Sequence, residues 1–180
     1  MKNALILIDI QNDYFPQGRK ELVNMTSAAA VARQLLEKFR KEKSPVIHIQ
    51  HISTRKDATF FLPDTEGVKI NNEVLPAADE PVIIKHSPNS FLNTTLHETL
   101  KELNVDTVTI VGAMTHMCID STTRAAFDHG YKAIVVADAC ATLDLALNGV
   151  TVPAAQVQTA FLAGLGFVFA DIQYSVTAQQ

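Results

Sequence analysis

The sequence predicts a three-layer α/β/α domain on a six-stranded, mostly parallel sheet, and three observations carry that reading. Short β-rich runs alternate with stretches of helical periodicity, as in successive βαβ units. The first apolar run is continuous rather than alternating, which suits a strand covered on both faces. The 180 residues fit one domain with one core, so residues 1–180 are read as a single unit. The strand order expected is 3-2-1-4-5-6, a Rossmann-like arrangement.

The elements follow in order. Residues 4–10 form the first strand, with Asp9 at its C-terminal end. A polar, turn-rich stretch, 11–24, leads to a helix over 26–43 whose residues Ala28, Val31, Leu35 and Phe39 keep helical spacing, with Arg33, Glu37, Arg40 and Lys41 on its wet face. Pro45 ends it, and 46–51 is the second strand. Residues 52–80 are a long connection holding Pro63, Gly67, Pro76 and the pair Phe60 and Phe61; a loop of that length in a compact domain is functional or a lid. Residues 81–85 are the third strand. A helix over 93–103 follows, with Thr95 and Glu98 spaced as a capping box and Leu96, Leu100 and Leu103 facing inward. The fourth strand is 106–112, a helix spans 117–129 and stops at Gly130, and the fifth strand is 131–137. A last helix opens at Pro153, and 167–170 closes the sheet.

Composition narrows the function. With 15 basic and 19 acidic residues and a formal net charge of −4, the chain lacks the cationic excess that nucleic acid or an anionic membrane would need. Residues 145–170 carry no formal charge, but Asn148, Gly149, Pro153, Gln156 and Gln158 interrupt them, so they read as buried or subunit-facing rather than membrane-spanning. That stretch predicts a homodimer or homotetramer. Cys118 and Cys140 are the only cysteines, too few for a disulfide framework or a four-thiolate site, and the N-terminal apolar run is too short for an export signal. A cytoplasmic setting is expected.

Ligands of open parallel sheets bind beyond the carboxyl ends of the strands. Three residues there stand out: Asp9 after strand one, Lys85 at the end of strand three, and Cys118 in the turn after strand four. They are an acid, a cation and a nucleophile. The unpaired N–H groups and positive dipole end of a helix N-terminus favour thiolate over thiol at Cys118. Free cysteine also packs as a small hydrophobe. Lys85 lies two strand spacings, roughly 10 Å, from strand one and must reach across strand two.

In this order, the run Ala4-Leu-Ile-Leu-Ile-Asp9-Ile-Gln11-Asn12-Asp13, Lys85 followed by Ser90-Phe91, Val111-Gly-Ala-Met-Thr115-His-Met-Cys118 and Asp138-Ala139 resemble the isochorismatase-like cysteine hydrolase superfamily, which includes nicotinamidases and N-carbamoyl amidohydrolases. The resemblance covers nearly the whole chain. It implies that Asp9 is general base and acid, that Lys85 orients it and polarises the thiol, and that Cys118 attacks a small amide, carbamoyl or imide carbon to form a thioester. It also implies a cis peptide between Ala113 and Met114, with the N–H groups of Met114 and Cys118 as the oxyanion hole. Isochorismatases proper typically lack the nucleophilic cysteine, so an amide-type small molecule is the expected substrate. Nicotinamidases bind a metal through an Asp-x-His at the end of strand two, where this chain has His48-Ile-Gln50-His51. On a strand those two histidines diverge, so no metal and no cofactor are expected.

Gln11 and Tyr14, just past strand one, Phe91, and Thr115 and His116 beside the nucleophile are the residues expected to line the substrate pocket. Asp13 is expected to fix its loop through backbone hydrogen bonds. Cys140 reads as packing. Two other functions stay open at this point: a non-catalytic ligand-binding oligomer of the same fold, and a thiol redox protein pairing Cys118 with Cys140.

Overall fold

A computed structural model describes residues 2–175. Its strands are β1 (Asn3–Ile8), β2 (Val46–His51), β3 (Val82–Lys85), β4 (Thr107–Ala113), β5 (Lys132–Ala141), β6 (Leu145–Leu147), β7 (Val150–Val152) and β8 (Asp171–Gln173). Its helices are α1 (Met25–Lys41), α2 (Leu96–Glu102), α3 (Asp120–Asp128) and α4 (Ala154–Val168). Six strands form one sheet in the order β3-β2-β1-β4-β5-β8, every pairing parallel. This is the 3-2-1-4-5-6 order once the separate antiparallel pair β6-β7 is set aside.

That pair was not foreseen, and the closing strand lies at 171–173 rather than 167–170, because Phe167 and Val168 continue α4. A helix turn and a short apolar strand look alike over four residues.

The continuous apolar run of β1 has the predicted cause. Ala4, Ile6 and Ile8 enter one core with Leu96 and Leu100 of α2, Ala126 of α3 and Leu162 and Leu165 of α4. Leu5 and Leu7 enter the other with Ala28, Ala32 and Leu36 of α1. The buried stripe of α1 is Met25, Ala28, Ala29, Ala32, Leu36 and Phe39, rotated from the predicted one, so Val31 and Leu35 are only partly covered. Thr95 precedes α2 without a side-chain cap; Thr94 Oγ1 accepts from the Leu96 N–H instead, at 3.3 Å.

Gly112 lets β4 approach β1 closely. It has φ +125°, and a Cβ there would collide with the carbonyl oxygen of Ile8, its partner in register on β1. The β4-β5 register also shifts between Ile110 and Gly112. Gly112→Ala therefore meets both backbone strain and a clash with immovable main chain, and should lower stability by about 3 kcal/mol or more in urea denaturation. Gly149→Ala is the control: its φ is +79° but nothing lies within 4 Å, so only the backbone penalty should appear.

Candidate active site

The parallel strands end together at one edge of the sheet, and each end delivers a side chain. Asp9 follows β1 with φ 53°, a left-handed conformation that Asp tolerates better than most residues. Its backbone N–H donates to Ile49 O at 3.1 Å, which holds the residue beside β2. Lys85 closes β3 in register with His51, the last residue of β2. Cys118 sits in a single π-helical turn, Thr115–Ile119, ahead of α3, just after the cis peptide Ala113–Met114.

Asp9 and Lys85 are fully buried and Cys118 nearly so. The stem of Lys85 does cross β2: its Nζ lies 2.8 Å from Asp9 Oδ2 and donates to Cys118 Sγ at 3.1 Å. It also contacts His51 Nδ1 at 3.0 Å and donates to Ser87 O at 3.0 Å. Asp9 Oδ1 accepts no hydrogen bond among the described residues. It is a buried acceptor left open for a proton.

The electrostatics overturn one expectation. Burial pushes the Cys118 thiol up and the Asp9 carboxylate adds to that, while Lys85 only partly opposes them. Burial alone would lower the Lys85 ammonium, but Asp9 and Cys118 beside it outweigh this and hold it above its ordinary value. The shifts therefore favour a neutral Cys118 thiol beside the Lys85 ammonium over a preformed thiolate. A proton passing from Cys118 to Asp9 keeps this buried group at zero net charge, whereas one lost to solvent would leave it negative in a low-dielectric site.

A cavity of about 300 Å³ opens over Cys118, walled by Tyr14, His51, Phe60, His86, Met114 and Met117, with Arg55 and Asp57 at its polar side. Tyr14, one of the residues expected at the pocket, is among those lining it. Four other expected residues do not line it. The amide of Gln11 is spent on the chain, Nε2 donating to His51 O at 2.9 Å and Val68 O at 2.7 Å, and Oε1 accepting from the His51 N–H at 2.8 Å. Ser90, whose N–H donates to Thr122 Oγ1, carries Phe91 onto His129 and Tyr131, ring centroids 4.9 and 6.0 Å away. Thr115 Oγ1 bonds Ala141 O and Gln158 Oε1. His116 Nδ1 faces Thr142 Oγ1 at 2.6 Å.

The long connection is a fastened wall rather than a free flap. Asp13 accepts from the Phe61 N–H at 2.6 Å and the Arg19 N–H at 3.2 Å, Asn12 Nδ2 donates to Glu66 O, and Gln11 pairs with Ile70. The Ser53 N–H donates to Phe61 O at 2.9 Å, closing residues 53–61 into a separate small loop that carries Phe60, Arg55 and Asp57 to the cavity.

The site member that the sequence reading missed is His51, weighed there only as a metal ligand. Asp9, His51 and Cys118 offer ligand atoms within 4.8 Å of one another, but Lys85 Nζ is within 3.1 Å of all three. An ammonium stands where a metal would have to sit, so this donor set does not fit one. His48 Nε2 meets Glu80 Oε2 instead, at 2.9 Å.

Comparison with known proteins agrees with this architecture. A model of the Isochorismatase domain matches residues 3–160. The isochorismatase family protein YddQ of Bacillus subtilis strain 168 is 49% identical over 173 residues, 96% of each chain. The crystal structure of an isochorismatase from Pseudomonas putida KT2440 superposes with a TM-score of 0.91 at 35% identity, over 97% of this chain and 89% of that one. A streptothricin hydrolase of Streptomyces noursei is 29% identical over 166 residues, 91% of this chain and 65% of that protein.

Proposed function

Since the chain belongs to the isochorismatase family of hydrolases, we propose that it cleaves a C–N bond of a small amide, carbamoyl or imide compound through a thioester on Cys118. One observation carries the reading: the buried Asp9 carboxylate and Cys118 thiol lie 2.8 and 3.1 Å from the Lys85 ammonium, and Cys118 lines a cavity of about 300 Å³, sized for a small molecule.

In the proposed cycle Asp9 takes the Cys118 proton as Sγ attacks the carbonyl carbon. The N–H groups of Met114 and Cys118 receive the negative oxygen, each such donor being worth about 3 kcal/mol in the transition state. Protonated Asp9 then gives its proton to the departing nitrogen, releasing ammonia or an amine. Asp9 finally activates the water that hydrolyses the thioester. Lys85 stays charged throughout and balances whichever of Asp9 or Cys118 is negative. The apolar body of Tyr14, Phe60 and Met114 takes the acyl portion.

The redox reading is not favoured. Both cysteines are free, and burial pushes Cys140 up to about 12, a poor resolving thiol. Leu147 and Phe167 are 76% and 89% exposed, which supports a homodimer or homotetramer through the uncharged stretch. A monomeric mass by light scattering would remove that part. Among the described residues no helix is long and apolar enough to cross a membrane.

The central test is an acid quench during turnover on a panel of small amides, imides and carbamoyl compounds. Mass spectrometry should find an acyl adduct on the Cys118 peptide, released by hydroxylamine, with ammonia or amine formed in step. Product formation without any adduct on Cys118 would overturn the thioester route.

A further inference from the structure

The hydrolase reading gives no task to His51, yet its ring is more constrained than any other histidine near the cavity. An ammonium has three donors and no acceptor, so the 3.0 Å contact between Lys85 Nζ and His51 Nδ1 requires Nδ1 to accept. The proton of the neutral ring must then be on Nε2. Protonating Nδ1 would set two cations face to face. Burial, Lys85 and His86 lower the ring's pKa while Asp9 alone raises it, leaving it at about 4. The groups surrounding it are thus Lys85 from β3, Asp9 from the end of β1, His86 beyond β3 and Cys118 from the π turn.

The outer end of the ring is free. Nε2 makes no hydrogen bond among the described residues, and it is not one of the buried polar atoms left without a partner, so it is open to the cavity that His51 lines. Four groups lie within 3.1 Å of Nζ: Asp9 Oδ2, Cys118 Sγ, His51 Nδ1 and Ser87 O. Three protons serve them. The acceptors on the His51 and Ser87 side therefore decide how the ammonium points at the other two.

We propose that His51 is a positioning and specificity residue with two separate ends: Nδ1 holds the Lys85 ammonium in its bearing on Asp9 and Cys118, and Nε2–H is a fixed donor for an acceptor atom of the substrate. This rests on the hydrolase reading for its second half only. The oxyanion donors already take the scissile carbonyl, so the acceptor served by Nε2–H is a second one, on the substrate's other portion.

Two substitutions separate the ends. Asn at this position places an amide oxygen near the former Nδ1 and offers nothing at Nε2; Gln reaches the Nε2 position with a donor and offers nothing at Nδ1. His51→Asn is expected to raise KM about tenfold with kcat nearly unchanged. His51→Gln is expected to lower kcat by about tenfold to a hundredfold with KM nearly unchanged, and His51→Leu to do both. Iodoacetamide labelling of Cys118, followed by peptide mass, needs no substrate and should slow in His51→Gln and His51→Leu but not in His51→Asn. Equal labelling rates in all three variants and the parent would overturn the positioning half. Equal KM values in His51→Asn and the parent would overturn the donor half. Should no amide be turned over at all, the labelling pattern still decides the positioning half, so failure of the hydrolase reading is told apart from failure of this one.

Discussion

Asp9→Asn is expected to move two properties of the site in opposite directions: turnover should fall by about 10⁴-fold, while alkylation of Cys118 at neutral pH should become faster. The loss of turnover follows because Asp9 both accepts the thiol proton and protonates the leaving nitrogen, and an amide does neither. The gain in alkylation follows from the balance at Sγ. Burial raises the thiol, Asp9 raises it further and Lys85 lowers it; removing the carboxylate leaves a buried ammonium whose natural counter-ion is the thiolate. Slower alkylation in Asp9→Asn would contradict the charge balance described for the cluster.

Lys85→Met is the second large effect and has a different profile, since both turnover and alkylation should fall steeply. It also leaves Asp9, with no exposed surface, without its cation at 2.8 Å. Breaking a buried pair from one side costs about 3–5 kcal/mol. The Asp9→Asn, Lys85→Met double variant buries no unpaired charge. It should recover part of the stability lost in Lys85→Met and none of the activity. Independent, additive losses in the double variant would mean that the two side chains are not coupled in the folded protein.

These effects involve residues whose types and places could be read along the chain. Asp9, Lys85 and Cys118 stand at strand ends, and a parallel sheet brings strand ends to one edge whatever the loops do. The alternation of Ala4, Ile6 and Ile8 against Leu5 and Leu7 was legible for the same reason, the two-residue period of a strand. What escaped was set by distant partners. Nothing local shows that Gln11 spends its amide on His51 and Val68, or that Ser90 carries Phe91 onto Tyr131. His51 was hidden differently: its importance comes from the register that sets it opposite Lys85, and register is a property of two strands at once. The β6-β7 pair did carry a local signal, Asn148-Gly149 with φ 51° and 79° between Leu145–Leu147 and Val150–Val152, the two-residue turn of a tight hairpin, which the sequence reading took only as an interruption of the uncharged stretch.

The bond from Ser53 N–H to Phe61 O has an evolutionary consequence. It makes residues 53–61 a cassette with joined ends, pinned by Asp13 through the Phe61 N–H, while Gln11 holds the rest of the wall at Val68. Mutations inside the cassette can alter Arg55, Asp57 and Phe60 at the cavity without disturbing Asp9, Lys85 or Cys118. Descendants of one ancestral chain can thus diverge in what they accept while inheriting an unchanged reaction, and a graft of this segment between relatives is the natural unit for transferring preference.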